Sequence, residues 1–232
     1  MRALLALVLW CWALAATAAA RTEFQARCED TIGESLSVLT GTQNGFRIDN
    51  TVGARALTAM KGRARPGQLV LGLTRTESRV SIQVGGRLLA DEASGVECIA
   101  PHIDIKLYYP PIVVYISREF RPGSCAYEEV LAHEMRHLNA YLDYLPKAEA
   151  RVRLALARRF EDKPLYARIG QAQSLLQREI DRGWMPYIKS EMAKVEALQA
   201  AIDSPQEYAR LGKVCGGEVQ SLLGPLQRSK QK

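Results

Sequence analysis

The segment YEEVLAHEMRHLNAYLDYL, residues 127–145, marks the point at which the chain changes its periodicity. From Cys28 to about Phe120, short runs of alternating apolar and polar residues are separated by turn residues, which predicts strands. Beyond Ser124, apolar residues recur with helical spacing. Strands followed by helices predict an α+β fold, with an N-terminal antiparallel β region, a helix that carries the quoted segment, and a helical C-terminal half.

The length of 232 residues and a hydrophobic content of 47% suit one globular domain after an N-terminal leader. We predict that this domain covers residues 21–232. Its mainly β part spans about 28–120, its mainly α part spans about 125–212, and residues 213–232 form a tail that ends in the loose sequence GPLQRSKQK.

Within the β part, turn residues and alternation locate the strands. Asn44-Gly45 predicts a hairpin, and Gly85-Gly86 predicts a further turn. In HIDIKLYY, residues 102–109, apolar residues alternate with polar ones, so that one face of the strand is buried. The apolar, β-branched run IVVYI after Pro110-Pro111 favours a more central strand.

Proline and capping residues divide the α part. Pro146 predicts the end of the first helix, because the residue before a proline avoids helical geometry. Ser204, Pro205 and Glu207 are typical of an N-cap, a first-turn proline and a capping-box partner. The predicted helices span about 125–145, 147–160, 164–182, 186–202 and 205–212.

The first twenty residues, MRALLALVLWCWALAATAAA, predict a secretory signal peptide cleaved near Ala20. The alternative is an uncleaved membrane anchor, since the apolar run approaches the length that spans a bilayer. Four cysteines remain after cleavage, and in an exported chain they predict two disulfides in one of three pairings. They are Cys28, Cys98, Cys125 and Cys215. We therefore expect a periplasmic or secreted protein.

The chain carries a net charge of +6, with a pI near 9.1. Such a charge suits peripheral contact with an anionic envelope surface, for which the basic segment RVRLALARRF is the candidate. Ordinary solubilising charge is the alternative, because no block of five consecutive basic residues occurs. We predict no nucleic-acid partner.

His133 and His137 are two of the three histidines in the chain, and Glu134 lies between them. On a helix, residues four apart share a face, so that two imidazoles can bind one metal ion while the glutamate reaches the metal-bound water. The two histidines lie about 120° to 160° from a predicted core stripe and therefore face a cleft. The stripe consists of Leu131, Met135, Leu138, Leu142 and Leu145. The alternative is a solvated helix face with an ordinary glutamate.

The HEMRH sequence resembles the zincin metallopeptidases. The resemblance implies that His133 and His137 are zinc ligands and that Glu134 is the general base. It covers little more than the motif and the order of strands before the helix, and Arg136 departs from the residues that many zincins have between the histidines.

Several residues are candidates for the third zinc ligand. The metzincin pattern places Asp143 at the matching spacing, but Ala140 stands where that pattern has a glycine. Gluzincin-like enzymes take a glutamate from a following helix, and here Glu149 or Glu161 could supply it if the chain forms a helical hairpin at Pro146. We predict Glu149 as the ligand, with Asp143 the next candidate. His102 is a more remote possibility.

Together these features predict an exported zinc peptidase or amidase that acts on protein or on cell-wall peptide. An edge strand carrying HIDIKLYY would bind an extended substrate. A second donor to the developing oxyanion is also expected, with candidates Tyr127, Tyr141, Tyr144 and His102. The alternative is a non-catalytic envelope protein with a structural metal or none. The oligomeric state is not predicted.

Overall fold

The computed structural model describes residues 21–31, 36–62 and 69–221. The predicted signal peptide and the last part of the predicted tail, residues 222–232, lie outside the described residues. Within these ranges the fold is α+β, with strands in the N-terminal half and a helical C-terminal half, as predicted. No described helix combines the length and the apolar character needed to cross a membrane.

The described residues form seven strands and seven α-helices. The strands are β1 (Leu36–Gln43), β2 (Phe46–Asp49), β3 (Gly72–Arg75), β4 (Arg79–Asp91), β5 (Val96–Tyr109), β6 (Ile112–Ile116) and β7 (Leu165–Arg168). The helices are α1 (Glu23–Thr31), α2 (Ala54–Lys61), α3 (Cys125–Phe160), α4 (Ala172–Glu179), α5 (Met185–Ala193), α6 (Val195–Ile202) and α7 (Pro205–Leu211). A π-helical turn, Ile180–Trp184, joins α4 to α5, and a 3₁₀ turn, Cys215–Gly217, follows α7.

The strands form two mixed sheets rather than the predicted antiparallel one. One sheet has the order β1-β5-β4, with β7 also beside β5, and the other has the order β2-β6-β3. β1 runs parallel to β5, and β2 runs parallel to β6. β3, β4 and β7 each run antiparallel to their neighbours. The prediction of an antiparallel β region is therefore wrong for the β1–β5 and β2–β6 pairs.

The predicted hairpin at Asn44-Gly45 is a kink in an extended chain. Gln43 of β1 faces Tyr109 of β5 before the kink and Phe46 of β2 faces Ile112 of β6 after it, so the two successive parallel pairs keep one register. The Asn44 side chain donates to the Tyr109 carbonyl at 2.9 Å, and the Ile112 N–H donates to the Gly45 carbonyl at 3.0 Å. These bonds tie the kink to the neighbouring strand, and the chain does not reverse.

The predicted turn at Gly85-Gly86 is also wrong, because β4 passes straight through it. An added Cβ at Gly86 would come within 2.2 Å of the Ala100 carbonyl oxygen, so glycine permits the close approach of β5 there. The chain reverses instead before Gly95, whose φ of 67° lies in the left-handed region.

The one-sided burial predicted for HIDIKLYY and the central position predicted for IVVYI are confirmed. In β5, Ile103, Ile105 and Leu107 are fully buried while His102 and Lys106 are exposed. β6 occupies the middle of its sheet. β5 lies between β1 and β4, so HIDIKLYY is not an edge strand, and the expectation that it binds substrate at an edge is wrong.

The helix α3 runs through Pro146 without ending, contrary to the prediction. Proline lacks an N–H, and in a helix this leaves the carbonyl four residues earlier without its usual donor. Here the Gln43 side chain donates to that carbonyl, on Leu142, at 3.1 Å. A bond from β1 thus compensates for the proline, and α3 continues to Phe160, with 36 residues in all.

Two further helix predictions need correction. Residues predicted as the start of a helix at about 164 form β7, which pairs with β5. The helix predicted at about 186–202 is two helices, α5 and α6, which meet at Lys194. A π-helical turn precedes α5, in which Pro186 cannot donate a helical hydrogen bond.

The structure contains both predicted disulfides and selects one pairing. Cys28 of α1 bonds to Cys98 of β5, and Cys125, the first residue of α3, bonds to Cys215 in the 3₁₀ turn. The bonds are consistent with an exported protein. The second one holds the segment after α7 against the start of α3, and nearby Val219 is buried.

The basic segment at the end of α3 has acidic partners within the chain. Its ion pairs join Arg151 to Glu191, Arg153 to Glu149, and Arg159 to Glu179. Contact with an anionic surface stays a prediction.

Candidate metal centre

The middle of α3 presents the predicted motif residues to the interior. His133, Glu134 and His137 are 4%, 4% and 7% exposed. Of the predicted core stripe, Leu138 and Leu145 are buried, whereas Leu131, Met135 and Leu142 are only partly so. The stripe packs against the sheets, and α6 and α7 cover the histidine side. The predicted cleft therefore exists, but its walls leave the imidazoles almost inaccessible.

Three side-chain atoms converge in this cleft. His133 Nε2 and His137 Nε2 lie 3.2 Å apart, and Asp203 Oδ1 lies 3.3 Å from each. Ligands held at about 2.0–2.1 Å by a tetrahedral zinc ion are about 3.3–3.4 Å from one another. The triangle therefore has the size of one face of such a coordination sphere, and these three residues could hold a metal ion.

Asp203 reaches the histidines because it lies in the corner between α6 and α7. Ser204 caps α7 and accepts a bond from the Glu207 N–H at 3.2 Å, as its sequence predicts. Burial opposes ionisation of Asp203, but hydrogen bonds from His133, His137 and Lys61 outweigh burial and hold its pKa well below its usual range. Asp203 is therefore a carboxylate at neutral pH.

Gln199 of α6 orients His137. The Gln199 amide nitrogen donates to the His137 carbonyl at 3.1 Å, and its amide oxygen faces His137 Nδ1. Because that oxygen only accepts, Nδ1 carries a proton, and in the neutral ring the lone pair is on Nε2. The lone pair then faces the Asp203 carboxylate, and either a proton or a cation is needed between them. Burial lowers the pKa of His137, but Asp203 and Glu134 raise it above its ordinary value overall.

On its far side from Asp203, His133 Nδ1 faces Glu207 of α7, whose Oε1 lies 3.3 Å away, and Arg136, whose Nη2 lies 2.9 Å away. Arg210 and Arg136 both donate to the same carboxylate. The bond from Arg210, followed by those from Arg136 and His133, outweighs burial and lowers the pKa of Glu207 to about 2. A carboxylate behind a ligating histidine is a usual feature of metal sites. Arg136, the departure within the motif, thus positions a histidine partner.

Glu134 points to the opposite wall, which is β3. The Thr74 hydroxyl lies 2.9 Å from Glu134 Oε2 and 3.0 Å from its backbone carbonyl oxygen. Burial raises the pKa of Glu134 above its ordinary value, although both histidines and Thr74 act to lower it. A raised pKa makes the Glu134 carboxylate a stronger proton acceptor, as a general base requires.

Gly72 provides the space that Glu134 occupies. A Cβ added at Gly72 would lie 2.6 Å from both Cγ and Oε1 of Glu134. We predict that Gly72→Ala lowers the free energy of unfolding by about 1–3 kcal/mol, the usual cost of overpacking a buried site. Chemical denaturation of the metal-free protein would measure this change.

Gly85→Ala is the matched control, because a Cβ there meets no atom within 4 Å and its strand φ is not positive. We expect its stability to equal or exceed that of the parent chain. Equal losses of unfolding free energy in the two variants would show that the cost comes from replacing a glycine in a strand, and not from the contact with Glu134.

The motif and Asp203 line one cavity of about 620 Å³. β3 forms one wall and α6 and α7 the other, and Lys61 of α2 stands at the rim beside Asp203. Tyr141 and Tyr208 also line the cavity. Burial, followed by the Asp203 carboxylate, raises the pKa of Tyr208, which keeps its hydroxyl protonated and able to donate.

The residues predicted as third ligand lie elsewhere. Glu149 follows His137 by twelve positions on a continuous helix, which places it about 18 Å further along the axis, and its carboxylate pairs with Arg153. Asp143 is exposed and lines a different groove. Glu161 is exposed at the end of α3, and His102 is exposed on β5. The hairpin that would have returned Glu149 to the motif does not form, so the prediction of Glu149 is corrected.

Asp203, Gln199 and Glu207 were not predicted as site residues. Glu207 was predicted only as the capping-box partner of Ser204, but its carboxylate faces His133. The only local signal was the capping sequence at Ser204, which located the corner between two helices without revealing what it faces. Of the predicted oxyanion donors, Tyr141 lines the cavity, whereas the Tyr144 hydroxyl donates to the Glu191 carbonyl at 2.9 Å.

Comparison of the chain with protein-family models, with curated proteins and with solved structures gave no match.

Proposed function

We propose that the chain is an exported, zinc-dependent hydrolase of peptide or amide bonds. The observation that carries this proposal is the convergence of His133, His137 and Asp203 on one point of a cavity that Glu134 also lines. The donor set of two imidazoles and one carboxylate suits zinc. When bound, zinc lowers the pKa of a coordinated water and polarises a carbonyl.

In this reaction Glu134 accepts the proton of the attacking water and delivers it to the leaving amine. The bond from Thr74 to Oε2 fixes the orientation of the carboxylate. Gln199 and Glu207 hold the two imidazoles with Nε2 toward the centre. Tyr208 and Tyr141, which line the same cavity, are the candidates to donate a hydrogen bond to the developing oxyanion.

The edge of β3 supports an extended peptide as substrate. The Ser117 N–H donates to the Leu71 carbonyl at 2.8 Å, so Leu71 is in a hydrogen-bonded pair of the antiparallel ladder. The backbone groups of Gly72 and Thr74 therefore point away from β6, to the side on which no described strand pairs with β3, and both residues line the cavity. A substrate strand could add there through main-chain hydrogen bonds.

The second candidate is a non-catalytic protein with a structural metal. A structural zinc site is normally closed by four protein ligands, and among the described residues three converge on this point. The adjoining cavity of about 620 Å³ also favours the catalytic alternative, because it leaves room for water and substrate.

Metal removal tests the proposal. We expect the purified protein to contain one zinc ion per chain and to cleave members of a mixed peptide library. A chelator should abolish cleavage, and added Zn²⁺ should restore it, whereas added Mg²⁺ should not, since it prefers oxygen ligands. Cleavage that persists in fully stripped protein would refute the zinc-dependent reaction.

A further inference from the structure

The two oxygens of the Asp203 carboxylate have different partners, and one of these partners is Lys61. Lys61 Nζ lies 2.9 Å from Asp203 Oδ2, and Asp203 Oδ1 lies 3.3 Å from each histidine Nε2. The lysine is the last residue of α2, and its side chain is 34% exposed at the cavity rim. A cation from a separate element thus holds one oxygen away from the point where the ligands converge.

A carboxylate can bind a metal ion through one oxygen or through both. A catalytic zinc site keeps one coordination position for water, and a second carboxylate oxygen would fill that position. We propose that Lys61 is a positioning residue that restricts Asp203 to a single oxygen toward the metal and so keeps the water position open. This inference rests on the proposed function.

Because Lys61 is positively charged, zinc affinity can distinguish this positioning role from simple structural support of Asp203. Two positive charges repel, so the ammonium group beside Asp203 opposes the binding of a divalent cation. If Lys61 only held Asp203 in place, its removal would weaken zinc binding. If it restricts Asp203 to one oxygen, its removal leaves zinc binding equal or tighter, because the second oxygen becomes available and the repulsion is gone.

The test is Lys61→Met, with Lys61→Arg to restore the ion pair and Lys194→Met as matched control. Lys194 pairs with Glu191 away from the metal centre. In the zinc-loaded Lys61→Met protein we expect kcat/KM to fall about 10- to 100-fold, the range found for residues that orient metal ligands. Zinc affinity should not fall, and Lys61→Arg should recover most of the activity.

Cobalt substitution provides a measurement that does not depend on turnover. The visible absorption of Co²⁺ weakens as its coordination number rises, so Co²⁺-loaded Lys61→Met should absorb less strongly than the parent and Lys194→Met proteins. Parental activity and an unchanged cobalt spectrum in Lys61→Met would overturn the inference. Loss of zinc affinity would overturn it too, since Lys61 would then only support Asp203. Failure of the parent chain to bind zinc would instead refute the proposed function.

Discussion

Replacement of Glu134 by glutamine should abolish hydrolysis and leave the zinc content unchanged. General acid–base catalysis contributes about 10²- to 10⁴-fold to such reactions, and an amide cannot accept the proton of the attacking water. Glutamine keeps the size of the side chain and an oxygen for the bond from Thr74. The converging metal-ligand group does not include Glu134, so zinc should stay bound. Peptide hydrolysis and zinc analysis of the same preparation would measure both effects.

Glu128→Gln provides the control for this variant, because Glu128 is exposed in the first turn of the same helix. It should retain parental activity. Glu134→Gln should also be no less stable than the parent when zinc is removed, since a buried charge is costly and the amide removes it. Retained hydrolysis in Glu134→Gln would exclude Glu134 as the general base, and loss of zinc would show that it binds the metal.

The local part of the site could be predicted from sequence because it depends on helix geometry alone. His133 and His137 share a face whenever residues 125–145 are helical, and the structure bears out that helix. The sequence also predicts correctly that the imidazoles point away from the apolar stripe of the helix. Their burial was not predicted, because the elements that cover them lie on a later part of the chain.

The third converging residue could not be predicted from spacing. Asp203 and His137 are 66 residues apart, and their contact depends on how α6 and α7 return across α3. The prediction of Glu149 depends on a helix that ends at Pro146. That assumption failed because Gln43, on a distant strand, supplies the donor that Pro146 lacks. A tertiary hydrogen bond thus allows the helix to continue where the local sequence predicts its end.

The errors in the sheets have a similar origin. Asn-Gly and Gly-Gly pairs permit a reversal of the chain, but they do not require one. Asn44-Gly45 forms a kink between β1 and β2, which pair in the same register with the successive strands β5 and β6, and Gly86 permits close contact with Ala100. The alternation in β5, which reports burial and not pairing partners, was predicted correctly.

Asp203→Ala provides the most direct comparison of the sequence candidates with the structural one. Removal of a converging carboxylate should weaken zinc binding by more than about 100-fold, the upper range for loss of a residue that only orients a ligand. Glu149→Ala and Asp143→Ala should bind zinc like the parent, because Glu149 pairs with Arg153 and Asp143 is exposed. Competition with a chromophoric chelator would measure all three affinities.

Asp203→Asn shows whether the loss of zinc binding comes from the missing carboxylate or from a less stable fold. Asparagine keeps the shape of the side chain in the corner between α6 and α7 and removes the negative charge that attracts a cation. Thermal unfolding of the metal-free Asp203→Asn protein should therefore resemble that of the parent more closely than the alanine variant does, while zinc binding is still weakened. If Glu149→Ala released zinc and both Asp203 variants kept it, the ligand would come from α3, and the coordination triangle at the α6–α7 corner would have no role in binding.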